Sequence, residues 1–126
     1  MTKAVTILVC GGRDFNNVSF LKTRLEDFCC YIYDKFDEEV NLVIHGAARG
    51  ADTLAESWAK SNAIKYVGVP ADWGEHGMSA GPIRNKVMLD LNPDYVIGFD
   101  GGKGTANMLS IAKAKGTKTF HIKSAS

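Results

Sequence analysis

VIGFDGGKGTANML, residues 96–109, begins as an apolar strand, breaks at Gly-Gly-Lys-Gly-Thr and resumes with helix-forming residues. Glycines at the carboxyl end of a buried strand make either a tight turn or a cradle for an anion, because a backbone without Cβ atoms lets a ligand approach its amides. The same grammar recurs upstream. AVTILVC (4–10) is a continuous apolar, β-branched run closed by Gly11 and Gly12, as expected for a strand buried on both faces of a parallel sheet. NLVIH (41–45) is a second strand, followed by GAARGAD; IKYVGV (64–69) is a third, stopped by Pro70; Tyr95 to Phe99 is a fourth and Lys118 to Ile122 a fifth.

The intervals read as helices. In VSFLKTRLEDFCCYIYDKF (18–36), Phe20, Leu21, Leu25, Phe28, Cys29 and Ile32 recur at three- and four-residue steps. ADTLAESWAKSNA places Leu54, Ala55, Trp58 and Ala59 on one face, PIRNKVMLDLN opens with Pro82 in its first turn, and TANMLSIAKAKG stops at Gly116. The acidic run 37–39 reads as a solvated helix end or loop, and ADWGEHGMSAG as a long loop. The order βαβαβαβαβ, with no linker or repeat, specifies one α/β domain: a parallel sheet with helices on both faces, and ligands expected at the carboxyl ends of the strands.

The 126 residues suffice for one core, and 15 Lys plus Arg against 14 Asp plus Glu leave a net charge of +1. That balance argues against a generic DNA-coating protein and leaves a small anionic ligand open. Cys10, Cys29 and Cys30 provide neither a disulfide framework nor metal spacing, and Cys10 reads as a small core residue. A reduced cytosolic setting is expected, since the N-terminal apolar run is too short for a membrane span and unlike a signal peptide. His76 has no sensibly spaced second ligand, so no metal site is expected, and no cofactor is assigned.

Three strand ends combine glycine with charge: Gly11-Gly12-Arg13-Asp14, Gly46 to Asp52 with Arg49 between Gly46 and Gly50, and Gly101-Gly102-Lys103-Gly104-Thr105. A shared anion site accounts for that concentration better than turn chemistry alone, because the third strand ends in Pro-Ala-Asp-Trp. GGKGT is neither GxxxxGK[ST] nor GxGxxG; Thr105 can cap the helix or donate to a phosphate oxygen. Arg13 and Asp14 either pair with each other or divide phosphate and ribose hydroxyl between them. Arg49 is a surface residue or a bidentate clamp, Asp52 chiefly a helix N-terminal partner, and His45 a satisfied strand-end polar group or a ligand contact. Arg84 and Asn85 open a helix where a cation opposes the dipole, which suggests a compensating anion. Trp73 either stacks a base or plugs the core.

Taken together, GGRDF, HGAARGAD, ADW, AGPIRN and GGKGTANM resemble the SLOG superfamily of Rossmann-like nucleotide-ligand proteins, and within it the YspA/YpsA-related group found in bacteria and their phages. The resemblance implies a three-layer αβα sandwich with a five-stranded sheet of order 3-2-1-4-5, and a nucleotide-derived ligand over its carboxyl edge. It also implies a homodimer or higher homo-oligomer and the cytoplasm of a bacterial or phage-infected cell. The related "lonely guy" phosphoribohydrolases carry PGGxGTxxE; here Asp100 stands for the proline and Met108 for the glutamate, with Asn107 beside it, and Asn85 takes the lysine position of their Arg-Lys pair. Cleaving an N-glycosidic bond needs a carboxylate, which methionine cannot supply. A binding or sensing module is therefore expected ahead of a hydrolase acting on the same ligand, and a nucleic-acid-interacting or assembly protein comes last.

Overall fold

The computed structural model describes residues 2–123. Five strands, β1 (Lys3–Cys10), β2 (Glu38–His45), β3 (Lys65–Gly68), β4 (Tyr95–Gly98) and β5 (Lys118–His121), form one sheet of order β3-β2-β1-β4-β5, and every pairing is parallel. The side-chain period of two splits β1 between two cores. Val5, Ile7 and Val9 face one layer with Val43, Tyr95 and Ile97, and there Leu21, Leu25, Phe28 and Ile32 of α1 (Val18–Phe36) and Ala55, Trp58 and Ala59 of α2 (Ala51–Ser61) cover them. Leu8 and Cys10 face the other layer with Ile44 and Val96, covered by Met88 and Leu89 of α4 (Ala80–Leu89) and Met108, Leu109 and Ala112 of α5 (Lys103–Lys115). This is the three-layer Rossmann-like sandwich, with the expected strand order. Among the described residues no helix is long and apolar enough to cross a membrane.

Helix ends follow local chemistry. The Asn17 side chain accepts from the Phe20 amide at 3.1 Å to open α1, and Asp37 closes it in the left-handed region at φ 55°. Gly116 closes α5 at φ 89°. Two stretches differ from the sequence reading. The acidic run is not all loop: Glu38 and Glu39 begin β2, because β1 itself starts at Lys3 and pairs Lys3 and Ala4 with them, and Tyr95 Oη donates to Glu38 at 2.5 Å. The long loop after Pro70 contains the four-residue α3 (Trp73–His76), opened by Asp72 accepting from the Glu75 amide at 3.0 Å, and a 3-10 turn at Gly77–Ser79. Tyr31, Tyr33 and Phe36 are exposed at the end of α1.

Phe99, directly after β4, is fully buried and packs against Phe15 at 5.4 Å and Phe20 at 6.3 Å between ring centroids. It thus supports the turns after β1 and β4 from beneath. Phe99→Ala is expected to cost about 3–5 kcal/mol in urea denaturation; a loss below about 1 kcal/mol would show that the cluster carries little of the fold.

Candidate functional site

Strand order reverses between β1 and β4, so the chain leaves these neighbours in opposite directions and opens a crevice at their carboxyl ends. The two turns are stitched together there: the Phe99 amide donates to the Cys10 carbonyl at 2.8 Å and the Gly12 amide to the Asp100 carbonyl at 2.7 Å. The turn after β2 joins them through the Ala51 amide, which donates to the Gly12 carbonyl at 3.2 Å. Gly50 makes that approach possible. Its φ is 83°, and a Cβ there would lie 2.6 Å from the Arg13 carbonyl oxygen.

Gly46 couples two charged side chains. Its amide donates to Asp52 Oδ2 at 3.1 Å, and its carbonyl accepts from Arg84 Nη1 at 2.5 Å. A Cβ on Gly46 would sit 2.8 Å from Arg84 Cζ and 2.9 Å from Asp52 Oδ2, so a larger residue would displace both charged side chains. Asp52 also accepts from the Ala48 amide at 3.3 Å, while its Oδ1 is buried with no hydrogen-bond partner. Burial raises the Asp52 pKa; the Ala48 amide, the Arg84 charge, His45 and the Gly46 amide oppose that rise without cancelling it. Burial likewise lowers the Arg84 pKa; Asp52 offsets this in part, and the neighbouring Arg13 adds to it. Cys10 is pushed up to about 12 by burial and then by Asp52, so it is no thiolate near neutrality.

Helix α5 begins at Gly102 with no side-chain cap, leaving its first amides without intrahelical partners. Lys103, Gly104 and the buried Thr105 form its first turn. One turn on, Asn107 Oδ1 accepts from Asn85 Nδ2 at 3.0 Å, and the same amide nitrogen donates to the Gly104 carbonyl at 3.1 Å. Arg84 Nε donates to Asn85 Oδ1 at 3.1 Å. Met108 is fully buried in the α4–α5 core, so the amide of Asn107, not Met108, faces the site.

Trp73 is about half exposed, which rules out a core plug; the Arg13 guanidinium lies over its ring at 4.9 Å. Asp14 pairs with Arg49 at 3.4 Å on the exposed surface rather than with Arg13. His45 is buried, with Nε2 on Glu56 Oε1 at 2.9 Å and Nδ1 accepting from the Ala47 amide at 3.0 Å. That acceptor role places the ring proton on Nε2 and engages both nitrogens within the scaffold.

These residues surround one crevice in three compartments. The central cavity, about 540 Å³, is lined by Gly11, Gly12, Arg13, Asp52, Trp73, Arg84, Asn85, Gly102, Lys103, Gly104, Thr105 and Asn107. One side cleft, about 350 Å³, adds Gly46 and Arg49; another, about 550 Å³, adds Asp14 and Gly101. Arg13 borders all three, whereas His45 and Gly50 border none. Sequence reasoning missed the apolar wall of the central cavity, formed by Met78, Gly81, Pro82 and Met88. Met88 stands one helical turn after Arg84, a spacing that signalled a shared face; Met78, in an apparent loop, carried no signal. A larger groove of about 960 Å³ lies at the opposite, amino end of the sheet, where Glu26, Asp34, Glu38 and Glu39 make it a poor host for an anion.

Asp52 makes stability depend on pH with a defined sign. A carboxyl with a raised folded-state pKa adds stability below its unfolded value of about 3.9, and that contribution is lost as pH rises through the folded value. Asn cannot ionise. The stability of Asp52→Asn relative to the natural chain, measured by chemical denaturation, is therefore expected to increase from pH 4 to pH 7; a flat or falling difference would contradict the burial argument.

The family model described as YspA, cpYpsA-related SLOG matches residues 5–76, from β1 through the turn that carries Arg49 and Asp52 to the end of α3. The Gene 61 protein of Mycobacterium phage D29 is 35% identical over 88 residues, covering 64% of this chain and 70% of that protein. Crystal structures of S. aureus homoserine dehydrogenase at pH 6.5 and pH 7.0 align with TM-scores of 0.44 and 0.43 at 10% identity; this chain spans 33% of the length of each. The chain belongs to the YspA, cpYpsA-related SLOG family.

Proposed function

We propose that this protein binds or senses a nucleotide-derived, phosphorylated ligand, a nucleoside phosphate or an ADP-ribose-type molecule, at the carboxyl edge of its sheet. The observation that carries the reading is the convergence of Arg13, Arg84, Lys103 and the uncapped start of α5 on one cavity with an apolar wall. Phosphate oxygens would take the free amides of the first turn of α5, where the helix dipole favours negative charge, together with the guanidinium groups of Arg13 and Arg84. A base would lie against Trp73, Met78 and Pro82. Family membership supports a ligand of this class.

Binding is favoured over cleavage because Asn107 and Met108 stand where the phosphoribohydrolase pattern has a carboxylate. Asn85 and Asn107 are locked to each other, and Met108 is in the core. A hydrolytic reading has one observation in its favour, the buried Asp52 carboxyl beside Arg84 with its raised pKa. Incubation with nucleotides separates the two readings: intact ligands support binding, and products that vanish in Asp52→Asn support hydrolysis.

Calorimetry with a panel of nucleoside phosphates tests the proposal. Saturable binding is expected, weakened about tenfold or more in Arg84→Ala, the scale of a charge-assisted hydrogen bond. A folded natural chain that neither binds nor is thermally stabilised by any nucleotide would overturn it.

A further inference from the structure

The stack of Arg13 on Trp73 divides the crevice. Both residues border the central cavity on one side and the 350 Å³ cleft on the other, and Arg84 also reaches both. The two compartments offer different chemistry. On the central side the unspent donors are backbone amides at the start of α5. On the outer side the loop amides are already used: Gly46 and Ala48 donate to Asp52, and Ala47 donates to His45. What remains there is side-chain charge from Arg13, Arg49 and Arg84. Arg84 spends its Nη1 and Nε on the Gly46 carbonyl and Asn85, and Arg49 makes only a long surface pair with Asp14. Arg13 disfavours the charge on Arg84 at this cleft, which an anion there would relieve, and the forked donors of the three guanidinium groups match the terminal oxygens of a phosphate.

Building on the proposed nucleotide reading, we infer that the ligand carries two phosphate groups, one on the α5 amides and the other clamped by Arg13, Arg49 and Arg84 on the far side of Trp73. A single phosphate on the α5 amides meets Arg13 and Arg84, which border both compartments, but not Arg49, which lines the outer cleft and not the central cavity. The second phosphate either extends the first, as in a 5′-diphosphate, or sits across the ribose, as in a 3′,5′-bisphosphate. Both present the same chemistry to the arginines.

The test is calorimetry with the four common ribonucleosides, each as 5′-monophosphate, 5′-diphosphate and 3′,5′-bisphosphate. At least one doubly phosphorylated form is expected to bind about tenfold to a hundredfold more tightly than its monophosphate, and whichever form gains identifies the position of the second phosphate. Arg49, exposed and distant from the core, can be replaced without loss of fold. Arg49→Ala is expected to collapse the affinity ratio between the doubly and singly phosphorylated forms towards one, and Arg49→Lys to restore it only in part. Equal affinities in the natural chain, or an advantage that survives in Arg49→Ala, would overturn the second subsite while leaving nucleotide binding intact. Failure of every nucleotide to bind would remove the nucleotide reading and this inference together.

Discussion

The hydrogen bond from the Gly12 amide to the Asp100 carbonyl, 2.7 Å long, closes the seam between two turns that belong to opposite halves of the sheet. Parallel pairing of β1 with β4 forces the chain to diverge at this seam, and divergence is what opens a crevice there. Every later feature depends on holding that crevice open to a ligand yet closed to collapse. Phe99 fills it from below, Gly50 lets the third turn press in from the side, and α5 starts at its mouth with its amides unspent. The rim is therefore an assembly of backbone held at short range, which explains glycine at positions 12, 50 and 101.

Stability is conceded at this rim. A buried carboxylate oxygen without a partner is costly, as are an arginine drawn out of water and placed beside another arginine. Hydrophobic packing on both faces of the sheet, from Ile7 and Leu25 on one side to Leu8 and Met108 on the other, bears that cost. A buried carboxyl oxygen without a partner beside a desolvated arginine is the kind of local concession that a ligand site makes. Gly46 links the two charges through successive peptide groups: its amide donates to Asp52 Oδ2 and its carbonyl accepts from Arg84 Nη1.

Much of this was legible in the residues. Buried parallel strands announce themselves as unbroken apolar runs, and the end of α5 announces itself at Gly116 because capping is local chemistry. The three glycine-rich turns could be placed on one edge because alternating strands and helices leave no other topology. What escaped was non-local. Glu38 and Glu39 became strand because β1 begins early enough to pair with them, which no property of an acidic run reveals. Asp14 chose Arg49, 35 residues away, over its neighbour Arg13, which instead lies on Trp73. In the apolar wall, Met78 comes from a segment whose composition read as loop, and the short helix before it is set by the Asp72 cap.

The central claim is that separate turns act as one anion-gripping rim. Amide chemical shifts followed by nuclear magnetic resonance during titration with a nucleoside phosphate test this most directly. The account predicts that Gly12, Gly102, Lys103 and Gly104 move together along one binding isotherm, with the Arg84 side chain moving in step. Shifts confined to one turn, separate isotherms for different turns, or changes centred on the acidic groove at the amino end of the sheet would contradict it.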